Sequence, residues 1–124
     1  MRTLIVEDDF TSRILLQSLL SQYGECHIAV NGREAVAAFR TAQESGKAYD
    51  LICMDIMMPE MDGYETMQVI RQNPSFRRLP IIALTAKAMK GDREKCLEAG
   101  ASEYLAKPVN TEQLLSSLRM WLHR

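Results

Sequence analysis

Six residues of this chain have side chains that can do chemistry together: the acidic run Glu7-Asp8-Asp9, the lone Asp55, Thr85 and Lys107. Carboxylates crowded into one place repel one another and take up protons unless a cation sits among them. Hard oxygen ligands with room for water suit Mg2+, which prefers a few carboxylates plus phosphate oxygens and waters. A lysine offers a mobile point charge for a phosphoryl or carboxylate oxygen. A threonine hydroxyl can hydrogen-bond an oxygen that arrives during reaction. Metal, ammonium and hydroxyl together describe a site for phosphoryl transfer, where positioning and charge stabilisation do most of the catalysis.

Such a site exists only if the chain gathers these residues. Short apolar runs at 3–6, 26–30, 51–54, 81–84 and 103–106 read as strands, too short for helices. Between them lie stretches of helical spacing. The first, 10–23, carries Ile14, Leu15 and Leu19 and, one position round, Leu16, Leu20 and Tyr23, with Gly24 as its C-cap. Asn31-Gly32 turns into a helix over 33–42 that buries Val36 and Phe39, and 64–72 reads as a helix with Met67 and Ile70 inward. A short helix over 91–99 closes at Gly100. The last, capped by Asn110 or Thr111, turns Leu114, Leu115, Leu118, Trp121 and Leu122 to the core.

Five βα repeats imply an α/β domain, a doubly wound five-stranded parallel sheet with helices on both faces. Active sites in such sheets lie at the carboxyl ends of the strands. The acidic run follows the first strand, Asp55 the third, Thr85 the fourth and Lys107 the fifth. Each residue also has a plainer reading. Asp8 or Asp9 could cap the first helix, and Asp55 could make an Asx turn before Pro59. A threonine at a strand end, or a lysine before a proline, means little alone. The joint arrangement across four strand ends favours function.

The 124 residues have room for one domain, expected to span 1–124 without an output domain. With 47% hydrophobic and 25% charged residues, the chain can form a core, so disorder, a channel and a receptor are excluded. Fifteen basic against 16 acidic residues give a net charge of −1, which argues against a broad basic surface for nucleic acid. No targeting or transmembrane segment is present, and Cys26, Cys53 and Cys96 lack metal spacing. They read as reduced, mostly buried thiols, and the expected compartment is the cytoplasm.

The motifs Val6-Glu7-Asp8-Asp9, Met54-Asp55-Ile56-Met57-Met58-Pro59 with Asp62-Gly63, Leu84-Thr85-Ala86 and Lys107-Pro108 resemble the CheY-like receiver domain of two-component response regulators, over essentially the whole chain. The resemblance, and not the residues themselves, implies the strand order 2-1-3-4-5. It also implies that Asp55 accepts a phosphoryl group from a phosphohistidine on a sensor histidine kinase or a histidine phosphotransfer protein. Asp8 and Asp55 would ligate Mg2+ (or Mn2+) directly, Glu7 would act mainly through water, and the Met57 backbone carbonyl would be a further ligand. Thr85 and Lys107 would bind the phosphoryl oxygens, with a cis Lys107-Pro108 bond. Tyr104 occupies the switch position: as Thr85 moves toward the phosphoryl group, Tyr104 would turn inward and re-present the face of helix four, strand five and helix five to an unknown target.

The resemblance further implies a monomer or a phosphorylation-dependent homodimer, with no direct DNA or membrane binding. A stand-alone regulator, which the initial Met1 favours, a relay intermediate and a receiver from a hybrid kinase all remain open. Met57 and Lys87 stand where phosphate loss is modulated, and neither suits orientation of a hydrolytic water. Slow autodephosphorylation is therefore expected, without classical enzyme turnover. A haloacid dehalogenase-type phosphatase would want a second acid at position 57, and a flavodoxin-like mononucleotide binder would want a phosphate loop where this chain has three acids. Met57, Met58 and Met61 are expected to be open loop residues available to a partner, and Arg77-Arg78 a solvated loop.

Overall fold

The computed structural model describes residues 1–58, 61–73, 78–86 and 91–122. Five strands, β1 (Arg2–Val6), β2 (Glu25–Ala29), β3 (Leu51–Asp55), β4 (Ile81–Thr85) and β5 (Glu103–Ala106), form one all-parallel sheet in the order β2-β1-β3-β4-β5. Between and after them run α1 (Phe10–Leu20), α2 (Gly32–Glu44), α3 (Gly63–Arg71), α4 (Asp92–Ala99) and α5 (Thr111–Leu122).

Side chains alternate across a strand, so each central strand feeds two cores. Leu4, Val6, Ile52, Met54, Ile81 and Ala83 pack with Phe39, Met67, Ile70 and Cys96 beneath α2, α3 and α4. Ile5, Leu51, Cys53, Ile82 and Leu84 pack on the opposite face with Leu16 and Leu20 of α1 and Leu114 and Leu118 of α5. β3 and β4 are buried throughout, as strands covered on both faces must be.

Four helices start on an Asx cap. Asp9, Asn31, Asp62 and Asn110 accept the backbone N–H of Ser12, Glu34, Glu65 and Gln113 at 2.9 to 3.1 Å. Each bond satisfies an N–H that the helix leaves without a partner, a contribution of about 1 kcal/mol.

The first helix departs from expectation. It becomes a 3-10 turn at Ser21–Tyr23, and Ile14, Leu15 and Tyr23 are 42 to 49% exposed. A helix lying on a sheet buries one stripe, here Leu16 and Leu20 with Leu19 beside them, and residues off that stripe face outward. Val36 is likewise only half-buried, because Ala35, Phe39 and Ala42 form the inward stripe of α2. In α5, Leu115, Trp121 and Leu122 are half-buried at the edge of the core, while Ser117 is buried. β3 and β4 each run one residue beyond the apolar pattern, because Asp55 pairs with Leu84 and Thr85 with Ala106. Cys26, Cys53 and Cys96 are free thiols, the last two buried. No described helix is long and apolar enough to cross a membrane.

Candidate functional site

β1, β3, β4 and β5 all end at one edge of the sheet, and the chemistry-bearing residues stand there. Glu7 continues the line of β1: its N–H bonds the Ala29 carbonyl at 3.0 Å, and the side chain is wholly buried. Asp8 is exposed. Asp9 turns away to cap α1, and the bond from the Ser12 N–H holds its carboxyl below the usual range. The three neighbouring acids therefore divide into a buried one, an exposed one and a cap, and Asp9 is not part of the cluster.

Glu7, Asp8 and Asp55 each present a carboxylate oxygen within 4.8 Å of the others. Asp55 is 2% exposed at the end of β3. The Met57 N–H donates to its Oδ1 at 3.2 Å, so the Asx geometry considered as the plain reading is present alongside the cluster. Lys107 reaches in from the end of β5. Its Nζ lies 2.9 Å and 2.7 Å from the two Glu7 oxygens and 3.3 Å from Asp55 Oδ1.

Among the described residues the charges do not balance: one ammonium faces three carboxyls. Burial pushes the Asp55 carboxyl up to about 8, and the neighbouring Glu7 and Asp8 push the same way against Lys107. Burial pulls the Lys107 ammonium down, but the Glu7 and Asp55 carboxylates outweigh it and raise the group. An all-oxygen donor set carrying uncompensated negative charge fits a hard divalent cation such as Mg2+. The residues present thus suit the ion that the sequence pattern implied.

Thr85 is 4% exposed at the end of β4, and its carbonyl accepts the Lys107 N–H at 2.7 Å, which ties β4 to the start of the cis Lys107-Pro108 peptide. Tyr104 lies against the core on the α4 side, and its hydroxyl is buried without a hydrogen-bond partner among the described residues. Burial raises that phenol. The ring is half-buried against that cluster.

The loop after Asp55 folds back tightly. The Ile56 N–H reaches the Leu84 carbonyl at 3.0 Å, and the Gly63 N–H reaches the Ile56 carbonyl at 3.1 Å. A Cβ on Gly63 would lie 2.6 Å from the Asp55 carbonyl oxygen, so only glycine allows α3 to begin that close to Asp55. In this loop Met57 is 54% exposed as expected, but Met58 is buried at 9% and Met61 half-buried, because the fold-back presses both against the body of the domain. Arg78 is exposed. Pro59, Arg77 and Lys87 lie outside the described residues.

Comparison with known proteins adds three findings. Residues 3–119 match the family described as response regulator receiver domain. The chain is 39% identical over 124 residues to the sensor histidine kinase GacS of Pseudomonas protegens, covering 97% of this chain and 13% of that protein. It is 39% identical over 116 residues to the signal transduction histidine-protein kinase BarA of Escherichia coli K12, covering 92% and 12%. The chain therefore spans about one eighth of the length of these curated relatives. Among solved structures, the receiver domain of sensor histidine kinase PA1611 from Pseudomonas aeruginosa, with a magnesium ion in its active-site cleft, superimposes with a TM-score of 0.83 at 38% identity, over 99% of this chain and 98% of that one. The Vibrio cholerae chemotaxis protein CheY4 gives a TM-score of 0.84 at 31% identity over 98% of each chain.

Proposed function

We propose that this chain, which belongs to the response regulator receiver domain family and so to the phosphoacceptors of two-component signalling, takes its phosphoryl group on Asp55 from a phosphohistidine donor. The observation that carries the assignment is the placement of Asp55: it is the buried carboxylate at the end of a central strand, with Lys107 Nζ 3.3 Å away. In the transfer, an Asp55 oxygen bonds to phosphorus as the donor's P–N bond breaks. The electron pair stays on the imidazole nitrogen, which takes a proton from water.

Bound among Asp8, Asp55 and the Met57 carbonyl, with Glu7 behind a water, Mg2+ (or Mn2+) would supply charge neutralisation for the phosphoryl oxygens. The protein's own residues do the rest. Lys107 follows the charge: it rests between Glu7 and Asp55 and can shift to a phosphoryl oxygen with a small movement of its stem. Thr85, at the adjacent strand end, offers its hydroxyl to another oxygen, and Glu7 keeps Lys107 in place while Asp55 is unphosphorylated. Tyr104, half-buried beside α4, turns further inward as Thr85 moves toward the phosphoryl group, which re-presents the face of α4, β5 and α5 to a target protein.

The donor fits a histidine kinase or a phosphotransfer protein, since relatives of this chain are parts of histidine kinases. The exposed, apolar Met57 side chain cannot orient a water for hydrolysis, so the phosphoryl group persists and the domain acts as a switch rather than a turnover enzyme. Intact mass after incubation with acetyl phosphate and Mg2+ tests the assignment. A gain of one phosphoryl group in the wild type and none in Asp55→Asn is expected. A gain in both proteins would rule Asp55 out.

A further inference from the structure

The first turn of α2 contacts the loop that follows Asp55 more closely than any side chain would allow. A Cβ built on Gly32 would lie 2.2 Å from Thr66 Oγ1, 2.6 Å from the Met61 carbonyl oxygen and 2.7 Å from Met61 Cγ. Gly32 and Thr66 are both fully buried or nearly so. The Thr66 hydroxyl donates to the Asp62 carbonyl at 2.8 Å, and Asp62 caps α3 through the Glu65 N–H at 2.9 Å. The far end of the loop is closed by the Gly63 N–H on the Ile56 carbonyl and by the Met57 N–H on Asp55 Oδ1.

From this geometry we infer that Gly32 and Thr66 are positioning residues for cation binding: the α2 start braces the loop from the side and sets where Met57 presents its carbonyl relative to Asp8 and Asp55. The inference rests on the metal-assisted reading above. Met61 and Asp62 meet Gly32 and Thr66, and Gly63, next in sequence, bonds the Ile56 carbonyl at 3.1 Å, so a push at Met61 or Asp62 is transmitted through that bond toward residues 56–58. Alanine at position 32 pushes directly. Thr66→Val puts a methyl where the hydroxyl stands 2.8 Å from a carbonyl oxygen, well inside the separation that carbon contacts prefer, and so pushes from the α3 side. Thr66→Ser keeps the hydroxyl and pushes nothing.

Calorimetric titration of Mn2+ into the metal-free protein tests this, with thermal midpoints and backbone amide spectra recorded for each variant. Gly32→Ala and Thr66→Val are expected to bind Mn2+ about tenfold more weakly, the size seen when groups that orient metal ligands are altered, and to shift the amides of residues 56–58 before metal is added. Thr66→Ser should bind as the wild type does. Gly46→Ala is the control for stability alone: its φ of +74 disfavours a side chain, yet nothing lies within 4 Å of the new Cβ, so it should lower the midpoint and leave Mn2+ affinity unchanged. Wild-type affinity in Gly32→Ala overturns the inference. If Gly32→Ala does not fold, wild-type affinity in Thr66→Val overturns it equally. Failure of the wild type itself to bind Mn2+ would instead overturn the metal-assisted reading, and the inference with it.

Discussion

Lys107 is held more closely by Glu7 than by Asp55: its Nζ lies 2.9 Å and 2.7 Å from the Glu7 oxygens and 3.3 Å from Asp55 Oδ1. The wholly buried Glu7 is thus the resting partner of the ammonium, and Asp55 is left with a weaker share of that charge. That inequality leaves Asp55 short of compensating charge and gives it a use for a cation.

Removing the lysine should expose this dependence. Lys107→Met leaves Glu7 buried without its ammonium, and breaking a buried pair from one side costs about 3 kcal/mol. Urea unfolding of metal-free protein should show that loss, and acetyl phosphate labelling should fall with it. An unchanged urea midpoint would mean that the Asp9 N–H, 3.1 Å from Glu7 Oε1, suffices for Glu7 without the ammonium.

Asp55 gives the metal-free fold a pH dependence with a definite sign. Its folded pKa of about 8 stands above the unfolded value of 3.8, so between those values the folded state holds a proton that the unfolded state has released. Stability from this group is complete below the unfolded value and is lost as pH rises through about 8. Thermal midpoints in EDTA should therefore favour Asp55→Asn over wild type increasingly from pH 5 to pH 8, as the neutral amide avoids that loss. A constant difference across that range would contradict the raised pKa.

Adjacent acids should separate cleanly. Asp8 is exposed and shares the carboxylate cluster, so Asp8→Asn should leave unfolding in EDTA nearly unchanged and abolish most of the stabilisation that Mg2+ adds to the wild type. A Mg2+ titration of the thermal midpoint reads both quantities at once.

Asp9→Ala should do the opposite. It removes the cap that accepts the Ser12 N–H at 2.9 Å, costing about 1 kcal/mol, while the response to Mg2+ stays intact. Loss of the Mg2+ response would bring Asp9 back into the cluster.

Phosphate loss should be slow. With the exposed Met57 side chain beside the acceptor, a phosphoryl lifetime of minutes or longer is expected from mass spectra after removal of acetyl phosphate. Met57→Glu, which can hold a water, should shorten it several-fold. A wild-type lifetime of seconds would contradict the assignment of this position.

Much of this was legible along the chain. Five short apolar runs separated by helical spacing dictated a parallel α/β sheet, because period and length are local properties of the sequence. The four strand ends then placed Glu7, Asp8, Asp55, Thr85 and Lys107 at one edge, since every parallel strand points its carboxyl end the same way. Periodicity was less reliable where apolar residues outnumber the stripe that a sheet can cover, as with Ile14, Leu15 and Tyr23.

Only the tertiary structure decided which neighbour does what. The run Glu7-Asp8-Asp9 reads as three equal acids, but the path of the chain buries the first, exposes the second and uses the third as a cap. The preference of Lys107 for Glu7 joins residues 100 positions apart, and the contact of Gly32 with Met61 and Thr66 depends on how α2 meets α3. Residue types and strand ends fix which groups can meet. Distances, burial and the sharing of one positive charge among three carboxyls arise only when the elements pack, because each depends on atoms far apart in sequence.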